Sequence, residues 1–162
     1  MRALPRALAL LAVSATALAG LSGCASVVDV DAAADAANAA CADVMIALPP
    51  IVAENGQRET NSQATSAWGD PSQVVLRCGV AVPGPTTDPC VTVNGVDWVL
   101  KEGDPAWTAT TYGRDPAVEV LFDPEKVASS TVLVELGDAV SRVDQGRACV
   151  GIDEAIPAPS DG

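Results

Sequence analysis

Residues 90–122, CVTVNGVDWVLKEGDPAWTATTYGRDPAVEVLF, decide the fold, because turn signals divide them into short segments of strand-forming residues. The pair Asn94-Gly95 in the first segment is the strongest short-range signal for a two-residue hairpin turn. Such a turn places Val91 opposite Trp98 on one face of two antiparallel strands. The stretch therefore predicts an antiparallel sheet that contains a tight hairpin.

Asp-Pro pairs punctuate the chain on both sides of this hairpin. Each pair is a turn signal, because the Asp side chain can bond the backbone ahead of it and proline fixes φ. The five pairs are Asp70-Pro71, Asp88-Pro89, Asp104-Pro105, Asp115-Pro116 and Asp123-Pro124. The segments between them are rich in Val, Thr and aromatic residues and predict strands at 73–80, 90–100, 107–113 and 117–122. With the second segment split by its hairpin turn, we expect a meander of about five strands.

Helical periodicity occurs on either side of the predicted sheet. Residues 38–48 carry apolar side chains at three- and four-residue spacing, and Pro49 and Pro50 end the pattern. A second apolar stripe follows the last strand and comprises Val132, Leu133, Leu136, Ala139, Val140 and Val143. The polar residues 54–67 predict a long loop. The expected fold class is α+β, in which an antiparallel meander of about five strands is covered on one face by an N-terminal and a C-terminal helix.

The amino terminus has the layout of a secretory signal. Arg2 and Arg6 precede an apolar run at residues 7–21, which is shorter than the about 20 residues that a membrane-spanning helix needs. The residues LSGC at 21–24 resemble the bacterial lipobox, in which the cysteine is acylated and becomes the first residue after cleavage. We therefore expect Cys24 to carry acyl chains such as palmitate and to anchor a lipoprotein on the outer face of the cell membrane.

The chain then divides into four parts. Residues 1–23 form the signal peptide, 24–37 the lipidated cysteine and an acidic, Ala-rich linker, 38–152 a single α+β domain, and 153–162 a flexible tail. The net charge is −12, and signal cleavage makes it more negative because it removes two arginines. Anionic headgroups repel such a domain, so we expect the acyl chains to tether it while its charge holds it off the membrane surface.

Cysteine parity supports lipidation, because removing Cys24 from the count leaves the even set of Cys41, Cys78, Cys90 and Cys149. An even set suits two disulfides outside the reducing cytosol. Four cysteines allow three pairings. Of these we expect Cys78–Cys90, whose members end neighbouring predicted strands, and Cys41–Cys149, which closes a loop of about a hundred residues. No CxxC spacing occurs, so we expect no metal site.

The composition removes several classes of function. The chain has no histidine, which excludes Ser-His-Asp and Cys-His catalysis and His-ligated zinc. Its acidic balance and scattered basic residues disfavour nucleic acid as a partner. No P-loop, GxSxG, SxxK or GxGxxG motif occurs, so we expect no nucleotide and no cofactor.

Five residues are candidates for a binding site: Trp68, Arg77, Asp97, Tyr112 and Arg114. An Arg guanidinium suits a carboxylate, so each arginine can form an internal bridge, for instance Arg77 with Asp97, or meet an anionic ligand or partner. Trp68 and Tyr112 adjoin glycines and turn residues, where an aromatic ring can either form the rim of a site or fill the core.

These features favour a non-catalytic module that binds or scaffolds an envelope protein or a cell-wall component at the membrane surface. The alternative is a cell-wall hydrolase that depends on carboxylates. A glycosidase needs two carboxyl groups roughly 5–10 Å apart, one of them protonated. Asp97, Asp115 and Glu119 are the candidates for that pair.

Four blocks of residues resemble a known family. The blocks are WGDP at 68–71, LRCGV at 76–80, VDW at 96–98 and TYGRDPAVEV at 111–120. Together with the upstream cysteine-containing helix, they resemble an actinobacterial family of exported proteins catalogued as domain of unknown function 3515. The resemblance covers residues 38–145 and implies an actinobacterial cell-envelope protein, often a lipoprotein or membrane-anchored. It implies no activity, because the family has none assigned.

Replacing Cys24 by Ala tests the lipoprotein assignment. The full chain expressed in a bacterium should partition into a detergent phase and show a mass that includes acyl chains, whereas Cys24→Ala should remain in the aqueous phase. Phase partitioning and mass spectrometry measure both properties. If the wild type and the variant both stay in the aqueous phase, Cys24 is not an anchor.

Overall fold

The computed structural model describes residues 26–150, which form eight strands and two helices. In chain order the elements are α1 (Ala39–Ala47), β1 (Ile51–Val52), β2 (Asn55–Arg58), β3 (Thr65–Trp68), β4 (Val74–Val80), β5 (Cys90–Val93), β6 (Val96–Lys101), β7 (Trp107–Thr111), β8 (Ala117–Phe122) and α2 (Ser129–Val140). The eight strands form one sheet in which every neighbouring pair is antiparallel. The fold therefore combines α and β elements as the sequence predicts, but its sheet is larger.

The Asn94-Gly95 hairpin forms as predicted. Both turn residues have positive φ, 49° at Asn94 and 77° at Gly95, as a two-residue turn between twisted strands requires. Val91 on β5 pairs with Trp98 on β6. Trp98 is fully buried on the face of the sheet that packs against the helices, which we call the inner face. The register of this hairpin thus determines which of its side chains enter the core.

Both predicted helices are present, and their buried residues belong to the same core as the inner face. Asn38 caps α1, because its side chain accepts a hydrogen bond from the Ala40 amide, and α1 ends just before the two prolines at 49 and 50. The stripe predicted after the last strand is buried in full, from Val132 in α2 to Val143 just beyond it. Apolar periodicity, together with the two prolines that end α1, therefore located both helices.

The expectation of a meander of about five strands is wrong, because the sheet has eight strands. The additional strands are β1, β2 and β3, and residues 54–67, which were expected to form a loop, contain β2 and most of β3. β2 has the polar sequence Asn-Gly-Gln-Arg and no fully buried residue. Backbone pairing with β1 and β3, rather than burial of an apolar face, holds it in the sheet, so the sequence carries little periodic signal for it.

The expected meander also has the wrong strand order. The observed order is β1-β2-β3-β4-β8-β7-β6-β5, so β8 takes the place beside β4 that a meander gives to β5. Residues 81–89, which we call the crossover loop, therefore run from β4 to the opposite edge of the sheet at β5. Neighbouring strands lie about 4.8 Å apart, so the crossover loop must span about 19 Å.

All four cysteines form disulfides, but the expected pairing is wrong. The bonds are Cys41–Cys78 and Cys90–Cys149, with Cα–Cα separations of 5.7 and 5.8 Å. Cys78 cannot reach Cys90, because three strands lie between β4 and β5. The resulting separation of about 19 Å is far greater than the Cα–Cα distance of about 7 Å that limits a disulfide. Cys78 instead meets α1 in the core, and Cys90 at the sheet edge holds the C-terminal end of the described chain.

Residues 26–36 lie along the sheet. Val28 forms a bridge with Thr60, and the Asp35 amide donates to the Gly79 carbonyl at 3.0 Å. Gly79 has a φ of +90°, and a Cβ added there would lie 2.3 Å from the Asp35 carbonyl oxygen. Glycine thus permits both the backbone conformation and the close approach. The described part of the expected linker is packed against the domain.

Cys24, the expected signal peptide at 1–23 and the expected tail at 153–162 lie outside the described residues. Within residues 26–150, no helix has both the length and the apolar character needed to cross a membrane. The described range contains the sheet, both helices and both disulfides.

The two disulfides should differ in what they contribute to stability. Their sequence separations of 37 and 59 residues give similar loop entropies, about 4 kcal/mol each. Cys41 and Cys78 are also packed in the core, so replacing both by Ala adds a cavity cost that the more exposed Cys90–Cys149 pair lacks. In urea unfolding, the double variant Cys41→Ala, Cys78→Ala should lose more free energy of unfolding than the double variant Cys90→Ala, Cys149→Ala.

Peptide mapping under non-reducing conditions provides the control for this comparison. The wild-type chain should yield one linked peptide that joins Cys41 to Cys78 and one that joins Cys90 to Cys149. A peptide that joins Cys78 to Cys90 would contradict the pairing. Equal losses of stability in the two double variants would contradict the cavity cost assigned to Cys41 and Cys78.

Candidate functional site

The crossover loop lies over the face of the sheet opposite the helices, which we call the open face. Between this loop and the sheet is a groove of about 560 Å³, which we call the open-face groove. Its floor is made by side chains of β4, β6, β7 and β8: Arg77, Val99, Lys101, Thr108, Thr110 and Glu119. Its roof and side are residues 80–86 and Asp88. The strand order creates this groove, because the loop that joins β4 to β5 must cross the three strands that lie between them.

An ion pair lies in the floor of the groove. Arg77 on β4 and Glu119 on β8 are directly opposite in the strand register. Arg77 Nε donates to Glu119 Oε1 at 2.9 Å, and Arg77 Nη2 donates to the same oxygen. Among the described residues, Arg77 Nη1 and Glu119 Oε2 have no hydrogen-bond partner. The two side chains are 29% and 17% exposed, so this ion pair presents one spare donor group and one spare acceptor.

Two threonines continue the polar floor. Thr108 and Thr110 on β7 flank Ala109, which is buried on the inner face, so both threonines face the groove. Neither hydroxyl makes a side-chain hydrogen bond within the described part of the chain. Each can donate and accept. The floor therefore combines a guanidinium, a carboxylate and two hydroxyls.

A second ion pair forms the rim of the groove. Lys101 Nζ lies 3.6 Å from Asp88 Oδ2, which joins the end of the crossover loop to β6. The same two residues border an adjacent hollow of about 540 Å³, which also contains the half-buried Trp107. Two acidic and two basic side chains thus line the open-face groove, and its formal charge is zero although the whole chain carries −12.

The roof of the groove is fastened by residues 143–149, which we call the C-terminal strap. Arg147 Nη2 donates to the carbonyl oxygen of Pro83 in the roof at 3.3 Å. The Arg147 guanidinium also lies 5.5 Å from the centre of the Tyr112 ring, within cation–π range. The Cys90–Cys149 disulfide joins the end of the strap to the edge strand. The strap and the crossover loop therefore support each other.

Asp97 and Arg114 hold the strap through a buried polar network. Asp97 Oδ2 accepts hydrogen bonds from Gln145 Nε2 and from the Cys149 amide, each at 2.7 Å. Arg114 donates to the Val143 carbonyl and, at 3.1 Å, to Gln145 Oε1. Both residues are more than nine-tenths buried. Asp97 Oδ1 also accepts from the Thr92 hydroxyl at 2.5 Å, and among the described residues Arg114 Nε is buried without a partner. Both side chains are therefore turned toward the chain itself rather than exposed to a ligand.

Electrostatics explain why these two buried residues occur together. Burial lowers the pKa of the Arg114 guanidinium from its ordinary value, while the negative charges of Asp97 and Asp144 raise it. A guanidinium remains protonated at neutral pH, so the positive charge persists. Removing either Asp97 or Arg114 would leave the charge of the other buried without the opposite charge that stabilises it.

The carboxylates proposed for hydrolysis occupy different surroundings. Asp97 lies beneath the strap, Asp115 is exposed in the turn before β8, and Glu119 is in the groove floor. The other carboxylate that lines the groove is Asp88, and each of the two groove carboxylates lies against a basic side chain. A general acid requires apolar surroundings instead. Within the described residues, no group of three or more Cys, Asp or Glu side chains is placed to hold a metal ion.

A family model matches residues 3–149, which is most of the chain, and its description is "Protein of unknown function (DUF3515)". The chain belongs to the DUF3515 family. No curated protein and no solved structure matches it. The family resemblance carried by the four sequence blocks is therefore confirmed, and it adds no activity to what the geometry indicates.

The DUF3515 fold brings three of the five candidate binding residues together. Asp97, Tyr112 and Arg114 surround the C-terminal strap, where the Tyr112 amide donates to the Asp97 carbonyl at 2.8 Å. Arg77 is separate from them, in the floor of the groove. Trp68 lies on the inner face, fully buried. The five candidates therefore do not form a single site.

Two details of these candidates differ from the sequence-based hypotheses. The suggested bridge between Arg77 and Asp97 does not form, because β8 and β7 lie between β4 and β6, and Arg77 pairs with Glu119 instead. Trp68 contributes no rim, because it fills the core and donates from Nε1 to the Pro49 carbonyl at 3.0 Å. Of the five candidate binding residues, Arg77 is the one that lines the groove.

Apart from Arg77 and Glu119, which the sequence analysis singled out for binding and for hydrolysis respectively, sequence reasoning missed the polar residues of the DUF3515 groove. Thr108 and Thr110 had a usable signal, because they alternate with Ala109 in a strand and must share a face. Asp88 and Lys101 had none, since their proximity depends on the crossover. The groove itself arises from strand order, which local patterns do not encode.

Two glycines with nearly the same φ allow the strap to be tested. Gly113 has φ +75° and a Cβ there would lie 1.9 Å from the Arg147 carbonyl oxygen, whereas Gly95 has φ +77° and nothing within 4 Å of such a Cβ. Gly95→Ala should cost about 1–2 kcal/mol from backbone strain alone. Gly113→Ala should cost at least about 2 kcal/mol more in urea unfolding, because it also displaces the strap.

Amide hydrogen exchange of the same two variants locates the effect. Residues 143–149 should lose protection in Gly113→Ala and keep it in Gly95→Ala. Equal stability losses, or unchanged exchange in the strap of Gly113→Ala, would show that the strap does not pack against Gly113.

Proposed function

We propose that this DUF3515 protein is a lipid-anchored protein of an actinobacterial cell envelope that binds a ligand in the open-face groove without converting it. The observation that carries the proposal is the groove of about 560 Å³. Its polar floor leaves Arg77 Nη1 and Glu119 Oε2 unoccupied by the described residues. Concave sites with a few convergent polar groups are where small ligands bind.

Binding is favoured over catalysis by the state of the polar groups. The chain has no histidine, and both groove carboxylates lie against basic side chains. A carboxylate-dependent hydrolase needs one carboxyl group held protonated in apolar surroundings. Neither Asp88 nor Glu119 has such surroundings. The groove is also held from several directions by the disulfide and the strap, an arrangement suited to presenting a preformed surface.

The anchor and the location rest on the amino-terminal sequence. LSGC at 21–24 follows a basic start and an apolar run, and the four remaining cysteines are paired in disulfides as expected outside the cytosol. The resemblance to exported actinobacterial proteins supports the same compartment. The lipidated residue would be Cys24, with acyl chains such as palmitate.

Only a short stretch of chain should separate the domain from its anchor. Arg58 Nη2 donates to the carbonyl and hydroxyl oxygens of Ser26, at 2.6 and 2.7 Å. Ser26 is two residues after Cys24, so at most about 7 Å of backbone separates the acylated residue from a side chain of β2. We therefore propose a short tether in place of the long linker over 24–37 that the composition suggests.

Site-specific photo-cross-linking tests the binding function. A photoreactive amino acid is placed at Val82, which is in the roof of the groove and 37% exposed, or at Val134, which is on α2 and 45% exposed. After illumination of cells of the parent organism, position 82 should yield an adduct of defined mass and position 134 should not. Absence of an adduct at 82, or the same adduct at both positions, would contradict a groove ligand.

The hydrolase alternative has its own readout. The purified chain is incubated with cell walls of the parent organism, and soluble fragments are measured for the wild type and for Glu119→Gln, which preserves the shape of the side chain. We expect no release above background from either protein. Release by the wild type that Glu119→Gln abolishes would replace the binding function with a hydrolytic one.

A further inference from the structure

We propose that the ligand of the open-face groove is an uncharged carbohydrate chain, held by side chains of the sheet floor. This inference rests on the proposed binding function and names the chemistry of its ligand. Three properties of the groove carry it: its charge balance, its arrangement of donors and acceptors, and the chemistry of its roof.

Charge balance favours an uncharged ligand. The two basic side chains of the groove, Arg77 and Lys101, are each paired with a carboxylate of the same groove. An anionic ligand would meet no surplus of positive charge there and would be repelled by a chain of net charge −12. A cationic ligand would find no unpaired carboxylate in the groove. A neutral ligand keeps both ion pairs intact.

The donors and acceptors of the floor match neighbouring hydroxyl groups. Arg77 Nη1 offers donors beside Glu119 Oε2, which accepts, and the two groups are fixed relative to each other by the ion pair. A vicinal pair of hydroxyls can use both, one as acceptor and one as donor. Thr108 and Thr110, one strand away from Glu119, can each donate and accept and so add contacts along the same floor.

The roof suits the apolar faces of sugar rings. Val82, Pro83 and Pro85 of the crossover loop line the groove opposite the polar floor. A sugar ring carries C–H groups on its faces and hydroxyls at its edge, so it can contact a polar floor and an apolar roof together. The Lys101–Asp88 rim also borders an adjacent hollow, so a chain of several sugars has room to extend past it.

A peptide fits the groove less well. Extended peptides are recognised mainly through backbone hydrogen bonds to a sheet edge. The floor here is the face of a sheet, whose backbone groups are paired within the sheet. The crossover loop has prolines at 83, 85 and 89, which lack the N–H that a peptide carbonyl needs. The groove therefore recognises its ligand through side chains.

Calorimetric titration of the full chain in a sugar-free detergent tests the ligand class. The neutral probes are maltotetraose, mannotetraose, arabinotetraose and N-acetylchitotetraose. Tetragalacturonate serves as an anionic carbohydrate, and a blocked tetra-alanine peptide serves as an uncharged peptide. At least one neutral tetrasaccharide should bind, and neither the uronate nor the peptide should do so.

Variants then locate the binding in the groove. Thr108→Val with Thr110→Val removes two hydroxyls and keeps the β-branched shape, so the sheet should remain folded. Affinity for the bound tetrasaccharide should fall about tenfold or more, as the loss of two hydrogen bonds implies. The control is Thr87→Val, on the exposed crossover loop but outside the groove lining, which should bind like the wild type.

Each result has a defined meaning. Failure of every neutral tetrasaccharide to bind, binding of tetragalacturonate or the peptide, or equal affinity of the floor variant and the wild type would overturn the carbohydrate inference. The photo-cross-linking at Val82 detects a groove ligand of any chemistry. An adduct there without sugar binding would leave the binding function standing and reject only the ligand class.

Discussion

The antiparallel pairing of β4 with β8 is the constraint on which the rest of the structure depends. It places three strands, β8, β7 and β6, between β4 and β5, so the crossover loop must pass over the open face to join them. That passage makes the groove and supplies its roof. The same pairing sets Arg77 directly against Glu119 and separates Cys78 from Cys90. Topology, disulfides and candidate site thus share one cause.

Both ends of the described chain are fastened to this sheet in different ways. The N-terminal part is held by the core disulfide Cys41–Cys78 and by the close approach that Gly79 permits. The C-terminal strap is held by the more exposed Cys90–Cys149 bond and by the buried polar network of Asp97. The chain is only 3% aromatic. Covalent links and buried polar contacts therefore supplement a core in which few large side chains are available.

The sequence predicts those features that depend on neighbouring residues. The hairpin at Asn94-Gly95, both helices and the strands from β4 to β8 follow from turn chemistry and periodicity. Prediction from the sequence fails for β1 to β3, because pairing with other strands rather than an apolar pattern holds them in the sheet. It also fails for the disulfide partners, because these depend on strand order. Arg77 was a candidate from its residue type alone, but its partner Glu119 could be known only from the register between distant strands.

Cross-strand nuclear Overhauser effects in the labelled full chain test the central claim most directly, because they report strand neighbours without reference to any ligand. The account predicts contacts between the backbone protons of β4 and β8, at Leu76 with Val120 and at Val74 with Phe122. It predicts none between β4 and β5. Contacts that join β4 to β5 would establish a meander instead, and the crossover, the groove and the site built on them would all be contradicted.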